Sequence, residues 1–184
     1  MKVCLLGEKA FLDLTPIIHD QFPDTIFNTI EPLTSKIIDN MDLFISYGYR
    51  HIIKKEMLNR MNRPPINLHI SLLPWNRGAD PNLWSWIDNT PKGVTIHLMD
   101  SELDKGEIIA QRQIEMDTTY TLATSYERLC KEMERLFKEN WLSIRFNNFK
   151  TFPTMGSYHA SKDKESLNLT DGWNTPVSML VRFK

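Results

Sequence analysis

The chain is 184 residues long, 41% apolar and 10% aromatic, which is enough for one buried core and too short for two full domains. Lys and Arg total 22 against 23 Asp and Glu, a net charge of −1, so no general attraction to phosphate backbones or anionic lipid is present, and neither a nucleic-acid nor a membrane partner is expected. Cys4 and Cys130 lie far apart without CxxC or Cys/His spacing, and the N-terminal apolar run stops after Leu6; no disulfide framework, metal site, signal core or bilayer span is read, and a soluble cytoplasmic protein is expected.

In chain order, Lys2 to Leu6 is a short apolar run that predicts a strand, and Ala10 to Gln21 has helical spacing. The same alternation follows with strands over Thr25 to Ile30, Leu43 to Tyr47, Ile66 to Ile70 and Val94 to Leu98. Between them, helices are predicted over Ser35 to Asn40, Lys54 to Arg60 and Pro81 to Ile87, the last with proline in its first turn. Glu107 to Ile114 alternates weakly and predicts an edge strand. Leu122 to Ile144 carries the longest helix, with Leu129, Met133, Leu136 and Phe137 on one face. The rhythm is that of an α/β protein, a mostly parallel twisted sheet with helices on both faces.

After Phe149 the character changes. Pro153, Gly156 and the charged stretch Lys162 to Glu165 break any period until Val177 to Phe183. Residues 1–149 are therefore read as the main domain and 150–184 as a short C-terminal extension. At roughly 35 residues the extension is too short for its own core, so it is expected to pack on the body or on a second copy in a homodimer.

Ligands of open α/β sheets sit beyond the carboxyl ends of strands, so polar residues there carry the functional argument. In an extended Ile66 to Ile70 strand, Asn67, His69 and Ser71 point to one face. An amide, an imidazole and a nearby carboxylate suit acyl transfer, because they can hold an oxyanion and move a proton. Spacing alone leaves the commoner alternative open, that His69 is a satisfied structural residue.

Asn67-Leu68-His69-Ile70-Ser71-Leu72-Leu73-Pro74, then Arg77-Gly78-Ala79-Asp80-Pro81, Gly93-Val94-Thr95-Ile96-His97, Asp100, Leu103-Asp104-Lys105-Gly106 and Ile108-Ile109-Ala110-Gln111 resemble the folate-dependent formyltransferase family. Ser46-Tyr47-Gly48-Tyr49 and the preceding strand rhythm extend the likeness to roughly residues 1 to 145. The resemblance implies a Rossmann-like formyltransferase fold and transfer of a formyl group from N10-formyltetrahydrofolate, as co-substrate, to a primary amine, with no metal. Its catalytic set maps onto Asn67, His69 and Asp104. Asn67, and His69 when protonated, would donate to the formyl oxygen, while His69 and Asp104 would manage protons, in an order left open. Ile70 departs from the proline usual between His and Ser.

The resemblance also implies folate contacts in two loops, Tyr49, Arg50, His51, Ile52 and Ile53, and Leu98, Met99 and Asp100. Ordinary core packing is the alternative for Ile52 and Ile53. For His97 a structural role is the commoner reading, with contact to the site as the other.

Three acceptor classes use the family's fold. Gly7-Glu8-Lys9-Ala10 offers one glycine and an acid, a poor cradle for the phosphate of glycinamide ribonucleotide. Methionyl-tRNA formylation would call for a further barrel domain and a basic surface, neither of which is read here. Leu73 to Trp86, with Gly156-Ser157-Tyr158-His159 and Lys162-Asp163, is most similar to the sugar N-formyltransferase branch. That implies a nucleotide-linked amino sugar for bacterial surface glycans, and the short chain suits a pseudaminic-acid-type pathway. Candidate acceptor contacts are Ser71, Trp75, Asn76, Arg77, Gly78, Tyr158 and His159, with Trp84 either stacking on the acceptor or packing in its helix. A formyltetrahydrofolate hydrolase and a non-catalytic folate-binding module are the remaining alternatives.

Overall fold

A computed structural model describes residues 1–151, 156–167 and 169–181. A six-stranded sheet is formed by β1 (Lys2–Leu6), β2 (Thr25–Thr29), β3 (Leu43–Ser46), β4 (Ile66–His69), β6 (Gly93–Leu98) and β7 (Ile108–Gln113), in the order β2-β1-β3-β4-β6-β7. A second, two-stranded sheet pairs β5 (Arg77–Gly78) with β8 (Tyr158–His159). The helices are α1 (Glu8–Gln21), α2 (Ser35–Ile38), α3 (Lys55–Leu58), α4 (Pro81–Ile87) and α5 (Leu122–Arg145).

Period-two alternation assigns the strand side chains to two cores. On β1, Val3 and Leu5 join the larger core while Cys4 and Leu6 join the other. In the larger core, Ala10, Leu14 and Ile18, each four residues apart on α1, meet Leu129, Met133, Phe137, Trp141 and Ile144 of α5. Ile38 of α2 and Met57 of α3 pack in the smaller core. Helices therefore cover both faces, and Cys4 and Cys130 are free, buried and in different cores. Helix α5 starts at Thr121, whose hydroxyl accepts the Thr124 N–H while the Thr124 hydroxyl accepts the Thr121 N–H.

Three pairings in the sheet are parallel, but β6 runs antiparallel to both β4 and β7. An apolar run reads the same in either direction, so its sequence carried no sign of this reversal. β2 is an edge strand with Phe27 44% exposed, not a strand covered on both faces. The reversal brings the residues after β6 back alongside the start of β4, where the Met99 N–H donates to the Pro65 carbonyl at 2.7 Å.

The C-terminal segment lies against the body. Arg77 and Ala79 donate their N–H groups to the Ser157 and His159 carbonyls at 3.1 and 3.0 Å. Val177 is fully buried with Leu83, Trp86 and Leu122. Val177–Met179 is a short 3-10 turn; residues 182 and 183 of that run, like Pro153, lie outside the described residues. Among the described residues no helix is long and apolar enough to cross a membrane.

Candidate active site

Asn67 and His69, two residues apart on β4, face the same side, and the loop after β6 brings Asp104 to them. Asn67 Nδ2 donates to Asp104 Oδ1 at 3.2 Å, and His69 Nδ1 lies 3.6 Å from Asp104 Oδ2. The loop's geometry follows from its residues. Asp104 has φ 51°, a left-handed conformation that Asp tolerates through its short polar side chain. Gly106 sits so close to Leu98 that a Cβ would lie 1.7 Å from the Leu98 carbonyl oxygen, which closes the loop at its base.

Asp104 is 9% exposed. Burial favours its neutral form, but the attraction of the His69 and His97 rings in their protonated forms and the Gly78 N–H, which donates to Oδ2 at 2.9 Å, outweigh burial and hold the carboxyl well below the usual carboxylate range. His69 is 6% exposed. Burial pushes its imidazole below the ordinary value, against the opposing pull of Asp104. Its Nε2 lies 3.1 Å from the Asn76 carbonyl oxygen. That oxygen can only accept, so Nε2 carries the hydrogen and the neutral ring presents a bare Nδ1.

His97 belongs to the site. Its Nε2 is 3.1 Å from Asn67 Nδ2 and 3.5 Å from Asp104 Oδ1. Its place opposite Asn67 in the β4–β6 pairing could not be read without knowing that register. Both N–H bonds of Asn67 are engaged in this structure, one with His97 and one with Asp104.

The folate-loop residues separate into two groups. Tyr49, Ile53 and Met99 meet in the smaller core, so Ile53 is packed as well as near the site, while Leu98 packs on the larger core. Arg50, His51, Ile52 and Asp100 are exposed. Ile52, 85% exposed, and Leu103, 51% exposed, leave apolar surface on the two loops. The Tyr49 hydroxyl donates to the Glu31 carbonyl at 2.7 Å and His51 Nε2 contacts the Ile30 carbonyl at 3.1 Å, which ties the loops after β2 and β3 together. Apolar side chains on these two loops suit the face of a flat heterocycle such as a pterin.

Several predicted acceptor residues hold the site together from behind. Ser71 donates to the Trp75 carbonyl at 2.7 Å, leaving Trp75 41% exposed. Asn76 is fully buried; its oxygen Oδ1 accepts from Thr90 at 2.6 Å, and its N–H donates to Ser157 Oγ at 2.8 Å. Arg77 donates to the Ser157 and Gly156 carbonyls at 3.1 and 2.6 Å, so its guanidinium anchors the C-terminal segment. His159 stacks on Trp84 with ring centroids 4.1 Å apart and meets Asp88 at 2.7 Å. Trp84 is thereby packed, and Tyr158 remains 52% exposed. Gly78 has φ 93°, and a Cβ there would lie 2.1 Å from the His159 carbonyl oxygen, so only glycine allows β5 to lie this close to β8.

Two clefts lie elsewhere, one of about 500 Å³ including Cys4, Phe27, Ile37 and Met41, and one of about 480 Å³ including Asp80, Tyr126, Glu127 and Trp173. Neither is lined by Asn67, His69 or Asp104, so the chemistry of the side chains locates the site. Among the described residues no cluster of His, Cys, Asp and Glu is suited to a metal ion.

Comparison with known proteins agrees with this chemistry. Residues 34–140 match the model of the formyl transferase family. The chain is 31% identical over 173 residues to the dTDP-4-amino-4,6-dideoxyglucose formyltransferase of Mycobacterium bovis, covering 93% of this chain and 73% of that protein. The solved structure of the formyltransferase PseJ from Anoxybacillus kamchatkensis, in complex with UDP-4,6-dideoxy-4-formamido-L-AltNAc and tetrahydrofolate, superposes with a TM-score of 0.91 at 47% identity over 98% of both chains. A likely sugar N-formyltransferase from Mycobacterium tuberculosis superposes with a TM-score of 0.79 at 25% identity, covering 91% of this chain and 78% of that one. The chain belongs to the formyl transferase family.

Proposed function

We propose that this protein transfers the formyl group of N10-formyltetrahydrofolate to the amine of a nucleotide-linked amino sugar, specifically a UDP-linked 4-amino-4,6-dideoxy sugar. The convergence of Asn67, His69 and Asp104 at the end of β4 carries the reading. The acceptor class is supported by PseJ, whose two bound molecules, a formamido sugar and tetrahydrofolate, are the products of such a transfer. The dTDP-amino-sugar enzyme at 31% identity supports the same class. A place in bacterial surface-glycan assembly follows from the chemistry of that acceptor.

The residues divide the work. Tyr49, Ile53 and Met99, with the exposed Ile52 and Leu103, form the apolar surface beside which the pterin lies. His69, neutral with Nδ1 bare, takes a proton from the amine as its nitrogen adds to the formyl carbon. Asp104 stabilises the resulting imidazolium across 3.6 Å. His69 then returns the proton to the folate nitrogen as the carbon–nitrogen bond to the formyl group breaks.

The test is an acceptor panel. With N10-formyltetrahydrofolate, UDP- and dTDP-linked amino sugars, glycinamide ribonucleotide and methionyl-tRNA are each offered and the products weighed. A gain of about 28 Da, one formyl for one hydrogen, is expected on a nucleotide sugar, following from amine attack on the formyl carbon. Formylation of the ribonucleotide or the tRNA in preference to every sugar would overturn the acceptor assignment.

A further inference from the structure

The cleft of about 480 Å³ is walled by Asp80 at the start of α4, by Tyr126 and Glu127 on α5, and by Trp173 on the 3-10 turn Gly172–Asn174. It begins beside the catalytic carboxylate. Gly78, whose N–H donates to Asp104 Oδ2 at 2.9 Å, precedes Asp80 by two residues, a span of at most about 7 Å of chain. The cleft also lies across the sheet from the loops assigned to the pterin, because Tyr126 packs on the larger core whereas Tyr49, Ile53 and Met99 belong to the smaller one. A molecule in the cleft and a pterin on those loops therefore reach His69 and Asp104 from opposite sides.

The lining has the chemistry of a nucleoside site, and the volume is in the range of small-molecule sites. Trp173 is 49% exposed and is backed by the Tyr126 ring, with centroids 6.2 Å apart, so the indole keeps open surface on which a base can stack. Among the described residues no hydrogen bond or ion pair engages Glu127, and its carboxylate is free to accept from hydroxyl groups. Asp80 instead holds Lys164, with Nζ 2.8 Å from Oδ2. An ammonium has three donors, so Lys164 brings a cation with donors to spare to the same cleft.

We propose that this cleft holds the nucleoside of the acceptor, a uridine: Trp173 stacks on the uracil, the Glu127 carboxylate accepts the ribose 2′-hydroxyl, and Lys164 meets the diphosphate. The inference rests on the nucleotide-sugar reading above and adds a source of specificity to it. From the cleft, the diphosphate and the hexose run back past Gly78 towards Asp104, which brings the amine to His69. Ribose carries a 2′-hydroxyl that deoxyribose lacks, and a bond from it to a charged acceptor is of the stronger kind. Glu127 thereby favours UDP over dTDP.

Calorimetric titration of the full chain with UDP and with dTDP tests this, with 5-formyltetrahydrofolate titrated in parallel to show that the folate site is intact. Wild type should bind UDP about tenfold more tightly than dTDP. Trp173→Ala should weaken UDP by about tenfold and raise KM for the UDP-linked 4-amino sugar in step. Glu127→Ala should weaken UDP and leave dTDP unchanged, which removes most of the preference. Phe27→Ala, in the other cleft, should bind UDP as wild type does. The proposal is overturned if Trp173→Ala binds UDP as tightly as wild type, or if Phe27→Ala loses UDP in its place. It is equally overturned if wild type shows no preference between the nucleotides, or if Glu127→Ala weakens both to the same degree. A wild-type chain that binds 5-formyltetrahydrofolate and neither nucleotide would instead overturn the nucleotide-sugar reading itself.

Discussion

The backbone oxygen of Asn76 holds Nε2 of His69 at 3.1 Å, and this bond decides which nitrogen of the imidazole can act as a base. With its hydrogen committed to a carbonyl, the ring turns Nδ1 toward Asp104, 3.6 Å away. Asn76 is able to do this because its own side chain and N–H are fixed by Thr90 and Ser157.

If His69 and Asp104 work as one unit, His69→Asn and Asp104→Asn should each lower kcat by about a hundredfold or more, and the double variant should lose little beyond the worse single one. Steady-state kinetics on folded protein check this. Near-normal turnover by either single variant removes that residue from the mechanism.

The titration of His69 has a defined sign. Burial pushes its folded-state value below 6.5, its ordinary one, so the folded chain keeps the ring neutral at a pH where the unfolded chain protonates it. Its contribution to stability is present above 6.5 and is lost as pH falls through the lower folded value. An NMR titration of the His69 ring should give a midpoint below 6.5. A midpoint at or above 6.5 contradicts the neutral base.

The C-terminal segment should matter to catalysis without touching the folate. Ser157→Ala removes the acceptor of the Asn76 N–H, and about 1 kcal/mol of stability should go with it. Gly78→Ala pushes β8 away and disturbs the Gly78 N–H that supports Asp104. Both should lower kcat more than they raise KM for the sugar. A rise in sugar KM alone would place this segment in acceptor binding.

Far from the site, Arg145 at the end of α5 gives two hydrogen bonds of 2.8 Å to Asp24, which is 5% exposed. Arg145 holds that carboxyl below its ordinary 3.8 despite burial. The contribution is present above 3.8 and is lost as pH falls through the depressed folded value. Arg145→Met leaves the buried carboxylate with the N-terminal ammonium, 2.9 Å from Oδ1, and should cost about 2 kcal/mol for the lost charged hydrogen bonds, seen in urea unfolding, with kcat unchanged. An unaltered unfolding midpoint would show that the pair contributes nothing net.

Much of this was legible beforehand. α4 was bounded by Pro81, and the apolar runs of β1, β3 and β4 lie where their spacing put them, because burial on both faces needs continuous apolar sequence. Asn67, His69 and Asp104 were found through the family resemblance, and the structure brings them together. What stayed hidden depends on register and backbone. No side-chain pattern marks the Asn76 carbonyl as the partner of His69. The two-residue strands β5 and β8 are too short for periodicity, and so the contacts by which Arg77 and His159 brace the fold could not be read. His97 needed the antiparallel pairing of β6 to be set against Asn67.

Whether this chain formylates an amine is decided by one single-turnover experiment, in which enzyme in excess is mixed with formyl-labelled N10-formyltetrahydrofolate and the UDP-linked 4-amino sugar, then quenched and analysed by mass spectrometry. The label should appear as a formamide on the sugar, and Asp104→Asn should slow its appearance by about a hundredfold while still binding 5-formyltetrahydrofolate. Label recovered as formate, with the sugar unchanged, would rule out amine formylation and make this chain a formyltetrahydrofolate hydrolase.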